Sequence, residues 1–205
     1  MMKYREFLAQ DMKSSVWSGG TTTEIAISPE GAEYAQRDFT WRVSTATVEL
    51  DESNFTLLPD YERLIASVDG VMLLSHEGNS GLAAPDSHTA PGGCAVPGFG
   101  NASEVRIDPI STVYRFDGGA KTHCVGRASD LNLMLRKGRA EGKMEFVRLG
   151  ERVKFRLGPD ETALIYSISG KWARMYEYND PADAEIEFFA EDGDYALFRI
   201  SIVRE

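Results

Sequence analysis

Phe39-Thr40-Trp41-Arg42-Val43-Ser44-Thr45-Ala46-Thr47-Val48 is the stretch from which the fold can be read. Alternate side chains of an extended chain project to opposite faces. One face here carries Phe39, Trp41, Val43, Thr45 and Thr47, and the other Thr40, Arg42, Ser44, Ala46 and Val48. β-branched and aromatic residues suit a pleated surface, and a period of two marks a strand rather than a helix. If the aromatic face packs between layers, Arg42 and Ser44 point into an interior. A guanidinium there needs an anion or several carbonyls as partners.

Working outward, the same period recurs along the chain. Further strands are expected at 22–28, 63–68, 71–75, 112–116, 130–136, 162–169, 171–176, 186–189 and 195–203. Asp69-Gly70, Asp117-Gly118-Gly119, Ser169-Gly170 and Asp192-Gly193-Asp194 supply turns between them. Gly150-Glu151 separates the runs 144–149 and 152–157, which reads as a hairpin. Helical periodicity is nowhere sustained. Many short strands with frequent turns predict an all-β barrel or sandwich. Arg63-Leu-Ile-Ala-Ser-Val-Asp-Gly70 echoes Ala163-Leu-Ile-Tyr-Ser-Ile-Ser-Gly170 in period and closing glycine, which suggests two similar barrels. One segment breaks the rhythm. Residues 77–103 are rich in Gly, Pro, Ala and Ser and read as a long irregular loop, with Phe99 placed to cover a barrel mouth if it closes.

The chain's 205 residues carry a formal charge of −10 and no basic cluster, so nucleic acid and anionic membrane surfaces are not expected partners. No run approaches the roughly 20 apolar residues of a membrane span. No apolar segment follows the charged start MMKYREFLAQDMK, so a signal peptide is not expected. Two cysteines, Cys94 and Cys124, form no CxxC, which fits free thiols and a cytoplasmic location.

Five blocks carry a family resemblance: Trp17-Ser-Gly-Gly-Thr-Thr-Thr-Glu24, Phe39-Thr-Trp-Arg-Val-Ser-Thr-Ala46, Phe55-Thr-Leu-Leu-Pro-Asp-Tyr-Glu-Arg63, Phe116-Asp-Gly118 and Asp130-Leu-Asn-Leu-Met134. In this order the chain resembles the HutD/Ves family, bacterial bicupins linked to histidine utilisation or stress response. The resemblance spans about residues 4–136, and the last third matches in strand pattern alone. It departs in Thr23, where many members carry arginine, and in the length of the 77–103 loop. The resemblance implies an all-β double-stranded β-helix (cupin) fold with two cupin barrels, residues 1–127 forming the first and 128–205 a smaller second.

Most catalytic cupins bind a metal through His-x-His, a glutamate and a later histidine. Their first motif leaves six residues between the glutamate and a closing glycine, which puts Arg63 at the glutamate position before Gly70. The His-x-His positions fall among Thr56, Leu57, Leu58 and Pro59. A cation beside a guanidinium is disfavoured, so no metal and no other cofactor is expected. His123 lies near where a second motif would supply a histidine, yet alone it makes no metal site.

The positive reading rests on Arg63 and Arg42. Either belongs to a buried ion pair with Glu24, Glu62 or Asp130, or it receives a bidentate carboxylate. Asp130, Asn132 and Met134 share one strand face, and Asp and Asn are poor strand formers, so an inward polar network is expected there. Trp17 with Gly19-Gly20 reads as a turn with an aromatic plug.

The candidate ligand-binding residues are therefore Arg63, Arg42, Ser44, Asp130, Asn132 and His123. They point to a protein that binds a small carboxylate-containing metabolite, and the resemblance adds a sensing or regulatory role in histidine utilisation. A homodimer is compatible with this. Two alternatives stand beside it. A metal-free isomerase or hydrolase would need an acid–base pair, such as Asp130 or Glu24 with His123. A stress-response interaction protein would carry only a vestigial pocket. The absence of a nucleophile elbow weighs against nucleophilic catalysis.

Overall fold

The computed structural model describes residues 4–77, 104–179 and 184–204. Residues 78–103, with Cys94, Phe99 and most of the expected irregular loop, lie outside the described residues. In chain order the strands are β1 (Tyr4–Phe7), β2 (Lys13–Trp17), β3 (Gly20–Ser28), β4 (Trp41–Val48), β5 (Glu52–Asn54) and β6 (Tyr61–Asp69). There follow β7 (Met72–His76), β8 (Val105–Ile107), β9 (Tyr114–Asp117), β10 (Thr122–Val125), β11 (Ala128–Arg136) and β12 (Ala140–Val147). The last are β13 (Arg152–Arg156), β14 (Glu161–Ser167), β15 (Ala173–Glu177), β16 (Glu185–Phe189) and β17 (Tyr195–Ile202). Among the described residues, helix is confined to 3-10 turns at Ala9–Asp11 and Tyr34–Gln36.

The strands form four antiparallel sheets, ordered β2-β3-β4-β11-β6-β9, β5-β10-β7-β8, β1-β15-β14-β17-β12 and β13-β16. The largest apolar core lies between the six-stranded and five-stranded sheets. Trp41, Val43, Leu64, Leu131 and Leu133 from the first meet Met144, Leu164, Met175, Phe198 and Ile200 from the second. A second core joins Val48, Ile65 and Phe116 of the six-stranded sheet to Met72, Leu74, Ile107 and Cys124 of the four-stranded one. A third joins Ala163, Ile165 and Leu197 to Ile186 of the two-stranded sheet. Each main sheet is thus covered on both faces, which is why β4, β6, β11 and β14 are mostly buried along their length. Burial at roughly 25 cal/mol per Å² makes these interfaces the dominant stabilising term.

The two echoing segments are β6 and β14. Leu64 and Ala66 of one, and Leu164 and Tyr166 of the other, enter the same inter-sheet core from opposite sides. The turn after β6 depends on Gly70, whose φ is 74°. A Cβ there would sit 2.3 Å from the carbonyl oxygen of Arg127.

Three expectations change. The hairpin across Gly150-Glu151 does not form: β12 pairs with β17, and β13 pairs with β16 in another sheet. A glycine turn brings strands close in sequence, but partner choice follows burial, and Val147 and Leu157 both enter the third core. Phe39 leaves the Trp41 face. It precedes β4 and stacks on Tyr61 at 4.3 Å. β11 pairs with β4 and β6 along its length, while β1 pairs with β15. A division after residue 127 therefore runs between β11 and the strands that hold it, and N-terminal β1 joins the five-stranded sheet.

Candidate functional site

The centre of the six-stranded sheet is β4-β11-β6, and its register builds the site. Met134 lies opposite both Arg42 and Arg63. Asn132 lies opposite Ser44, and Asp130 opposite Ala46. Alternation along the three strands sends Trp41, Val43, Leu64, Leu131 and Leu133 into the inter-sheet core. It sends Arg42, Ser44, Arg63, Asp130 and Asn132 to the other face, where they line one cavity of about 300 Å³. Tyr34, Phe55 and Trp17 contribute its aromatic walls.

The two arginines are held differently. Arg42 Nε donates to Glu24 Oε2 at 2.8 Å, and its Nη1 donates to Ser44 Oγ at 3.1 Å. Its Cζ lies 4.5 Å from the centre of the Tyr34 ring, a cation–π contact. Arg42 is thus the buried ion pair that the sequence offered as the alternative, with Glu24 as partner. Arg63, on β6, donates from Nε to Asn132 Oδ1 at 3.5 Å. Its Cζ sits 5.0 Å from the Phe55 ring centre and 5.2 Å from that of Phe116. Among the described residues, no carboxylate oxygen comes within 4.0 Å of its guanidinium. Burial pulls its pKa down to about 10, partly offset by the Asp130 charge, so it remains a cation at neutral pH.

Asp130 is 3 % exposed, and its Oδ1 is buried without a hydrogen-bond partner. Burial pushes its carboxyl up to about 7, against the pull of Arg63. A buried carboxyl and a buried guanidinium therefore share one cavity without an ion pair between them. An unsatisfied buried polar atom of this kind needs a reason.

A divalent cation does not fit this lining. The charged groups lining the cavity are two guanidiniums and one carboxylate. Among the described residues, no group of three or more His, Cys, Asp or Glu side chains is placed to hold a metal. His123 is corrected. It lies on β10 between Thr122 and Cys124, both buried, so alternation turns it outward. There its Nδ1 meets Asn54 Oδ1 at 3.1 Å, and it is not among the lining residues. The other five candidates come together.

Sequence reasoning missed Tyr34 and Phe55. Phe55 stands in one of the resembling blocks, four residues before the Pro59-Asp60 turn, and was open to notice. Tyr34 sits in a 3-10 turn between strands, where no periodicity marks it. Trp17 lies 6.4 Å from Phe55 edge to face and lines the cavity, and its buried Nε1 lacks a partner.

The family model described as HutD matches residues 9–193. Among solved structures, the chain is similar to the conserved protein of unknown function PA5104 from Pseudomonas aeruginosa PAO1. The identity is 17 %, 98 % of this chain and 100 % of that one are covered, and the TM-score is 0.69. It is similar to HutD from Pseudomonas fluorescens SBW25 at 17 % identity over 99 % of this chain and 100 % of that one, TM-score 0.66. GK1651 from Geobacillus kaustophilus follows at 10 % identity over 100 % and 97 %, TM-score 0.59. At such identities the likeness carries the fold alone, all-β with largely antiparallel sheets. No curated protein sequence matches the chain.

Proposed function

This chain belongs to the HutD family, and from that premise we propose that it is a bicupin whose first barrel binds a small anionic metabolite without a metal. The first barrel comprises the six- and four-stranded sheets, residues 13–76 and 104–136. The second comprises residues 4–7 and 140–202. Supporting this division are the two separate cores inside the sheet pairs and the echo of β6 in β14. Position 163, the counterpart of Arg63, is an alanine packed in the third core, so the second half lacks the cation.

The observation that carries the binding reading is Arg63. It is 6 % exposed and lines the cavity with no carboxylate in contact among the described residues. A desolvated guanidinium gains most from a bidentate carboxylate, which supplies two charge-assisted hydrogen bonds in a fixed plane. The flanking aromatic rings hold the guanidinium plane, and Ser44 and Asn132 offer neutral polar contacts. The family link to histidine utilisation directs attention to acidic breakdown intermediates, formyl- or formimino-glutamate, and to a sensing or regulatory role in the cytoplasm. An acid–base enzyme is less well supported, because among the described residues no histidine lines the cavity beside Asp130.

Calorimetry tests this with formate, glutamate, N-formylglutamate and formiminoglutamate against wild type and Arg63→Met. At least one of these acids binds wild type, and the variant keeps its fold while losing that binding, since the unbranched stem still fills the space. A thermal shift should accompany binding, worth about 2.7 kcal/mol at a hundredfold excess over Kd. Equal affinity in the two proteins, or no binding of any of the four, overturns the reading.

A further inference from the structure

The charges around the cavity sum to zero before any ligand enters. Arg42 is matched by Glu24 at 2.8 Å. Arg63 is matched only at a distance, by Asp130. An anion that docks on Arg63 would leave this buried site with one uncompensated negative charge, which a low-dielectric interior strongly penalises.

Asp130 is the group placed to remove that charge. Asp130 lines the cavity, and its Oδ1 is buried without a hydrogen-bond partner. An incoming carboxylate takes over the guanidinium that now holds the Asp130 charge and adds a like charge beside it. Two carboxylates sharing one cation do not both stay ionised. We propose that Asp130 is a proton-taking ligand group: it is protonated as a carboxylate docks on Arg63, and its new O–H donates to that carboxylate. One proton comes from solvent, no covalent bond between protein and ligand forms, and the site returns to neutrality. This rests on the binding reading above and adds that the recognised species is a carboxylate accompanied by one proton.

The surrounding groups agree. β6 brings Arg63, and β4 brings Arg42, with Glu24 of β3 already engaged by it. β10 brings Cys124, whose thiol burial and the nearby Asp130 push up to about 12, so it stays neutral. β2 brings Trp17 and no titratable group to the lining, and the turn before β4 brings Tyr34. Asp130 itself sits at about 7, near the point where one more negative neighbour decides its state.

The test is calorimetry with the same four acids at pH 6, 7 and 8, each pH held by two non-phosphate buffers that differ in heat of ionisation. The difference in heat between buffers counts protons. Expected is an uptake approaching one proton per ligand at pH 8 and much less at pH 6. Kd should be flat below about pH 7 and rise by up to tenfold per pH unit above it. Asp130→Asn should abolish the uptake and flatten the pH dependence while still binding, since its amide donates without titrating. Binding by wild type with no proton uptake at pH 8 overturns the inference and leaves the binding reading intact. So does binding by Asp130→Asn with the wild-type pH slope. No binding of any of the four acids at pH 6 overturns both. The wild-type proton count stands even if the variant fails to fold.

Discussion

Arg63 and Asp130 are buried in the same cavity, opposite in charge, and do not form an ion pair. The register explains why. Arg63 sits opposite Met134, and Asp130 lies four residues before Met134 on β11, with Asn132 between them taking the Arg63 Nε hydrogen bond at 3.5 Å. The gap leaves each charge partly uncompensated, and the following predictions depend on it.

Asp130 should make stability pH-dependent in a stated direction. Its folded pKa is raised to about 7 from 3.8, so between these values the folded chain holds a proton that the unfolded chain has released. Its contribution is therefore fully present below the unfolded value and is lost as pH rises to about 7. The slope is at most about 1.4 kcal/mol per pH unit. Asp130→Asn should remove that slope. Urea unfolding at pH 5, 6 and 7 on both proteins reads it, and parallel curves would contradict it.

Glu24→Gln should act in two opposite ways. The amide keeps a hydrogen bond to Arg42 but cancels the compensating charge. Breaking a buried pair from one side costs up to about 3–5 kcal/mol, less here because Glu24 retains 17 % side-chain exposure. The added positive charge should tighten anion binding by roughly tenfold or less, on the order of 1 kcal/mol. Weaker binding with an intact fold would show that Glu24 does not set the cavity's charge.

His123→Ala should leave both binding and stability nearly unchanged. Its ring faces outward, and surface changes of this kind fall within about 0.5 kcal/mol. A loss of carboxylate binding in titration calorimetry would place His123 back in the site.

Gly70→Ala and Gly138→Ala form a matched pair. Both glycines have positive φ, 74° and 70°. At Gly138 nothing lies within 4 Å of an added Cβ, so only the backbone penalty of about 1–2 kcal/mol applies. At Gly70 the methyl meets backbone at 2.3 Å, so a distinctly larger loss in thermal melting is expected. Equal losses would mean that the β6–β7 turn moves freely.

What the sequence by itself determined is the alternation, and with it the all-β class and which residues share a strand face. Arg42 and Ser44 oppose Trp41 and Val43 by period alone. Arg63 opposes Leu64, and Asp130 and Asn132 oppose Leu131 and Leu133. Only the tertiary structure decided the partners. It joined β12 to β17 and β13 to β16 in place of the expected hairpin, and it set β11 between β4 and β6 and turned His123 outward. It also divided the two arginines, giving Arg42 a carboxylate and leaving Arg63 an amide and two aromatic rings. The reason is physical. Which way a side chain points follows from local backbone geometry, which neighbouring residues specify. Which strand lies beside it is settled by burying apolar area across the whole chain, and that sum cannot be read from any one segment.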